Sequence, residues 1–183
     1  MPSGAPPPAT CPEGGCTELS YSSVKDTYQI VLRQGGSGTL GTDTVVELTR
    51  GGVPVGWAVQ PDTYTARMNC STKTEHLHCV VMTGVGAHAE AADLYLAVDG
   101  GFVHPPTIVT DTSGIEATDL DGDGDLDLAV PVNDYQPDYA DGGVYFQTFL
   151  LQHQAYVLTG CSATVRNQFP PTPTGPLHGS CPG

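Results

Sequence analysis

The chain has 183 residues, enough for one domain that buries roughly 70% of the surface its unfolded form exposes. Six Lys and Arg against 20 Asp and Glu leave a formal charge of −14. That balance argues against nucleic acid and anionic membranes as partners, because both are held through basic patches.

Frequent glycine (23) and proline (16) disfavour long helices and favour many short strands joined by turns. Residues 1–10 are Pro-rich, with Pro6, Pro7 and Pro8 in a row, and read as an extended arm. Neither they nor any later stretch forms a long apolar run, so a soluble chain without membrane insertion is expected, with any export signal already removed. The six cysteines, Cys11, Cys16, Cys70, Cys79, Cys161 and Cys181, include no C-x-x-C pair of the zinc-ribbon or redox kind. Fifteen pairings are possible; proximity in sequence favours Cys11–Cys16, Cys70–Cys79 and Cys161–Cys181. Such bonds predict a secreted or cell-surface protein. The first would pin an N-terminal arm over 1–17. The last would staple a Pro-rich C-terminal arm, 161–183, onto the body and stabilise it by about 3 kcal/mol.

Between the arms, over 18–160, the apolar pattern recurs with a period of 50 residues and no gap. Tyr28 to Leu32 aligns with His78 to Met82 and with Leu128 to Val132. Thr44 to Val46 aligns with Leu94 to Leu96 and with Val144 to Phe146. Residues 53–59, 103–109 and 153–159 then read as returning strands, after turns at Gly51-Gly52, Gly101-Phe102 and Leu151-Gln152. A shorter strand opens each unit, at 18–23, 63–68 and 115–118. The one helix-like string, 87–92, falls in a loop. The expected fold is all-β: three blade-like, four-stranded repeat units (18–62, 63–113 and 114–160), disulfide-stapled, with propeller-like, prism-like or sandwich packing.

The third unit carries Asp119-Leu120-Asp121-Gly122-Asp123-Gly124-Asp125-Leu126-Asp127. Carboxylates at every second residue place positions 1, 3 and 5 of a tight turn around one centre, with Gly124 at the sharp bend and Asp127 at position 9. Asp125, at position 7, would offer its backbone carbonyl. Oxygen donors in this order gather Ca²⁺, whereas without a cation the carboxylates would repel one another. Position 12 is Val130 rather than Glu, and a β-type run follows in place of a helix, so the pattern points to calcium without pointing to an EF-hand. Fifty residues earlier, 69–79 occupies the same place with one carboxylate. A Cys70–Cys79 bond would close it where the metal closes the other.

From Asp119 to Val132 the sequence resembles the calcium loop of FG-GAP (integrin α-chain type) and related VCBS repeats, in which the loop joins the first two strands of a propeller blade. The resemblance implies side-chain ligands at Asp119, Asp121, Asp123 and Asp127, and a carbonyl ligand at Asp125. It implies a fold unit and a metal, not an activity.

Other residues point less sharply. His76, His78 and His88 lack a third ligand at fixed spacing and read as surface or half-buried histidines rather than a zinc site. There is no G-x-S-x-G, and Ser113, His104 and Asp111 form no motif. Asp134, Asp138 and Asp141 could extend the acidic region into a second cation or sugar site, but read rather as turn residues in a polar loop. In the same loop Tyr135, Asp138 and Tyr139 are candidate contacts for a glycan or protein. Tyr145 and Trp57 are expected to pack. Asn69-Cys70-Ser71 fits the glycosylation pattern, but a bonded Cys70 makes it a poor acceptor.

The expected function is that of a non-enzymatic, calcium-binding extracellular module, structural or adhesive, whose partner is itself, an extracellular protein or a glycan. Alternatives are a lectin-like carbohydrate-binding module and an accessory domain of a secreted hydrolase.

Overall fold

The structure is a computed structural model, and it describes residues 16–22, 27–35, 42–71, 73, 77–98 and 101–182. Strands β1 (Cys16–Ser22), β2 (Tyr28–Gly35), β3 (Thr42–Arg50) and β4 (Val53–Thr63) pair antiparallel in chain order. Gly51 and Gly52, both at positive φ (58° and 80°), join β3 to β4 where Arg50 pairs with Val53. A two-residue hairpin loop needs positive φ at both positions, which glycine accepts without strain.

A second sheet follows in β5 (Ala66–Ser71), β6 (His78–Gly84), β7 (Glu90–Val98), β8 (Gly101–Val103) and β9 (Ile108–Thr110). Both β8 and β9 pair with β7. The single returning strand expected over 103–109 is therefore split in two. Pro105 and Pro106 lie in the gap; neither has an N–H to donate to the ladder. The helix-like string 87–92 is also corrected: Glu90 to Ala92 open β7, paired with β6 on one side and β9 on the other.

The third sheet comprises β10 (Glu116–Thr118), β11 (Asp127–Asn133), β12 (Val144–Gln152) and β13 (Ala155–Cys161), again antiparallel in order. Its last turn is His153-Gln154, between Gln152 and Ala155, with φ of 52° and 66°. Leu151-Gln152 belongs to β12 and Gly101-Phe102 to β8, so neither is the expected turn. The gapless period holds for β2, β6 and β11, which begin at 28, 78 and 127. It fails beyond them because the next connections differ in length, running over 36–41, 85–89 and 134–143.

No helix occurs among the described residues, and none is long and apolar enough to cross a membrane. The middle sheet is buried on both faces, with strict alternation along its strands. Cys79, Val81, Tyr95 and Ala97 join Ile30, Leu32, Val46 and Leu48 of the first sheet in one apolar cluster. Val80, Met82, Ala92 and Leu94 join Ile115, Leu128, Val130 and Leu151 of the third sheet in another. Side chains that alternate across a pleated strand serve two cores in this way.

Beyond β13 the chain folds back over the face of β12 that carries Phe146 and Thr148. It is fixed there by bridges Val144 to Val165 and Cys161 to Gly179, by Leu177 N–H donating to Thr148 Oγ1 at 2.9 Å, and by the Cys161–Cys181 disulfide. The approach is close. A Cβ on Gly160 would lie 2.6 Å from the Leu177 carbonyl oxygen, so only glycine fits. The C-terminal arm thus caps its own sheet, as the expected Cys161–Cys181 bond requires. Cys70–Cys79 is also formed. The expected Cys11–Cys16 bond, the arm over 1–10 and His76 lie outside the described residues.

Candidate metal centre

The short strand β10 ends at Thr118, and β11 begins at Asp127. The intervening turn brings one carboxylate oxygen each from Asp119, Asp121 and Asp127 within 4.8 Å of one another. The Asp123 carboxylate, also expected to contribute, does not join this set; Asp125 is expected through its backbone carbonyl, which a set of carboxylate oxygens does not include. Gly122 and Gly124 take φ of 87° and 96°, a region that side-chain-bearing residues avoid. No atom lies within 4 Å of a Cβ built on Gly122; backbone conformation, rather than space, calls for glycine there.

The carboxylates organise the turn through its own N–H groups. Asp119 accepts from Gly122 N at 2.7 Å and Gly124 N at 3.1 Å. Asp121 accepts from Asp123 N, and Asp123 from Asp125 N. Asp127 is 1% exposed; it takes Leu120 N on one oxygen at 2.8 Å and Leu151 N on the other at 2.9 Å. The second bond ties the turn to β12. Asp119 Oδ1, Asp121 Oδ1 and both Asp127 oxygens take one donor each and keep a further lone pair for a cation, whereas Asp119 Oδ2 accepts both Gly124 N–H and the Lys73 ammonium. An all-oxygen set of acidic donors suits a hard ion such as Ca²⁺ or Mg²⁺ and offers nothing soft for a transition metal.

Electrostatics differ across the cluster. Partial desolvation works against ionisation of Asp119, but Gly122 N–H, Lys73 and Gly124 N–H together hold its carboxyl below the usual range; the Lys73 ammonium lies at 3.3 Å. Burial pushes the Asp127 carboxyl up, against its two backbone donors and with the Asp121 and Asp123 charges adding to it. Asp125 is also raised, first by burial, with His78 opposing and the neighbouring carboxylates reinforcing. A divalent cation would offset the neighbouring carboxylate charges, which add to the effect of burial on Asp125 and Asp127.

The middle sheet buttresses the turn. Ser71 Oγ donates to the Gly124 carbonyl at 2.5 Å, and His78 Nε2 accepts Leu126 N–H at 3.0 Å. On the other side of the turn, the Tyr156 hydroxyl donates to the Leu126 carbonyl at 3.0 Å. His78 is 1% exposed, which corrects the surface or half-buried role expected for it. Ser71, Lys73 and Tyr156 were not singled out by sequence. The only hint in the sequence is that Ser71 and His78 adjoin the cysteine pair at the place equivalent to the acidic turn.

The polar loop over 134–143 lies at the other end of β11 and contributes nothing to this cluster. Asp134 and Asp138 act as turn residues, accepting Gln136 N and Gly143 N, and Ala140 N and Asp141 N, respectively. Tyr139 lines a cavity there; Tyr135 and Asp138 do not, though Tyr135 rests against the Tyr139 ring. His104 pairs with Asp93 at 3.0 Å rather than with Asp111, so His104, Asp111 and Ser113 do not assemble into a triad.

No family model, curated protein or solved structure matches the chain.

Proposed function

We propose that this protein is an extracellular Ca²⁺-binding β-repeat module of FG-GAP/VCBS type, serving a structural or adhesive role without catalysis of its own. The observation that carries the reading is the convergence of Asp119, Asp121 and Asp127 within 4.8 Å, on a turn held by two positive-φ glycines and by its own N–H bonds. In this reading the three sheets are blades of about 50 residues, and the cation replaces the charge repulsion of one inter-strand turn with a rigid joint. Two disulfides support an oxidising location. Three blades fall short of the roughly 4–8 that close a propeller, so the reading includes self-association. Val157 and Leu158, exposed on edge strand β13, support it.

The test is metal analysis and calcium titration of purified full-length protein, with light scattering for assembly. One bound Ca²⁺ that is lost in Asp121→Ala, together with a species larger than one chain, is expected. Absence of metal binding would defeat the calcium reading. A monomer at high concentration would defeat self-association alone.

A further inference from the structure

The far end of β11 holds a second concavity, of about 390 Å³, within the ~300–1,000 Å³ typical of small-ligand sites. It lies between the loop over 134–143 and the chain segment over 165–169. Two aromatic rings line it, Tyr139 from the loop and Phe169 from the segment. Phe169 rests on the buried Phe146 ring at 5.7 Å yet remains 54% exposed. Tyr139 is stacked on His88 at 5.1 Å. Both rings are thus supported by other aromatic rings while they line the cavity.

Polar groups complete the lining. The side chains of Ser113, Asp141, Asn167 and Gln168 form no hydrogen bond with other described residues. They offer hydroxyl, carboxylate and amide groups without an internal partner. The loop behind them is held in one shape. Asn133 bonds Tyr139 O and Tyr135 N, and Asp134 pairs with Arg166 at 2.8 Å. The Arg166 guanidinium also donates to the Gln136 and Asp141 carbonyls. The basic side chain closest in sequence to the cavity lining is therefore committed, and Asp141 would repel an acidic ligand.

A ligand for this place needs apolar faces for the rings and many hydroxyls for the amides and carboxylate, and no negative charge. We propose that the Tyr139–Phe169 cavity is a binding site for neutral carbohydrate. A pyranose presents one C–H face and a rim of hydroxyls, which matches the two kinds of lining. A cationic peptide would satisfy Asp141 but would leave the two rings and the amides of the concavity without matching partners. The site does not depend on the calcium reading. Its loop leaves β11 at Asn133, about 20 Å along the strand from Asp127, and no carboxylate of the metal cluster lines it.

The experiment is retention of the full chain on immobilised mannan, galactan, β-glucan and chitin, with heparin and a Lys-rich peptide as comparators, each with and without EGTA. Retention on at least one neutral polysaccharide, undiminished by EGTA, is expected. Phe169→Ala should weaken it by about tenfold, and Phe169→Tyr should restore it. Gln168→Ala, at an exposed and unpaired side chain, should weaken it severalfold with an unchanged melting temperature. The proposal is overturned by no retention on any neutral polysaccharide, or by retention on heparin or the peptide alone. Retention that survives both Phe169→Ala and Gln168→Ala, or that EGTA abolishes, places any sugar site elsewhere and overturns it equally.

Discussion

Ser71 and His78 face each other across the β5–β6 ladder, one step beyond the Cys70–Cys79 bond, and each bonds the backbone of the acidic turn in the neighbouring sheet. Together they fix Gly124 O and Leu126 N, on either side of position 7, where a carbonyl ligand would be drawn. Preorganised donors cost less to order when a ligand arrives. One sheet therefore shapes the acidic turn of the next.

This buttress is open to substitution. Ser71→Ala removes a buried donor and should cost about 1 kcal/mol. His78→Ala leaves Leu126 N–H unsatisfied in the interior and opens a void, so a loss of about 3 kcal/mol is expected. Both variants should bind calcium more weakly than the parent, although neither touches the ion. Urea unfolding in EGTA and calorimetric titration measure the two effects separately. Unaltered calcium affinity in both variants would show that the turn shapes itself.

The Cys70–Cys79 bond closes the hairpin from which Ser71 and His78 project. Replacing both cysteines by serine should cost about 2–3 kcal/mol through loop entropy. It should also lower calcium affinity, because the two buttressing residues flank the bond. The Cys161–Cys181 bond holds the C-terminal segment on sheet three. Its double serine variant should free that segment to proteolysis while calcium binding stays unchanged. Peptide mapping after limited digestion tests the contrast.

The acidic turn was legible in sequence because its donors lie within nine consecutive residues and act through local geometry. Its supports were not, since Ser71, His78 and Leu151 lie 53, 48 and 24 residues from the groups they bond. Such contacts depend on how sheets stack. Asp123 illustrates the opposite limit: alternation places its carboxylate near the centre, but the side-chain oxygens that converge are those of Asp119, Asp121 and Asp127. Strand order was readable from apolar alternation, and the all-β class with it. The gapless period was not reliable past β2, β6 and β11, because connection length leaves no trace in an apolar pattern. Pro105 and Pro106 mark the split strand in the sequence itself, since neither can donate to a ladder.

Acid should loosen the loop over 134–143 through Asp134. Hydrogen bonding from Gln136 N–H lowers its carboxyl pKa first; partial desolvation opposes this, and Gly143 N–H and the Arg166 guanidinium add to the lowering. A folded-state value below the unfolded one means that the stabilisation is present above the ordinary carboxylate value, about 3.9. It is lost as pH falls through the lower folded value. Asp134→Ala should therefore lower the melting temperature at pH 6, and the difference from the parent should shrink below about pH 3.9. A difference that is constant from pH 6 to pH 2 would show that the charge of Asp134 has no part in it.

Calcium-dependent stability is the most direct test of the account. Asp121 is exposed and among the described residues accepts only Asp123 N–H, so Asp121→Ala should alter the metal-free protein little while removing a ligand. Calcium at 100 times its dissociation constant adds about 2.7 kcal/mol, which for a domain of this size raises the melting temperature by roughly 5–10 °C. Scanning calorimetry of the parent and Asp121→Ala, each in calcium and in EGTA, is predicted to show that rise in the parent and its loss in the variant. The same melting temperature in calcium and EGTA for the parent, or an equal rise in Asp121→Ala, would contradict a calcium site at this turn.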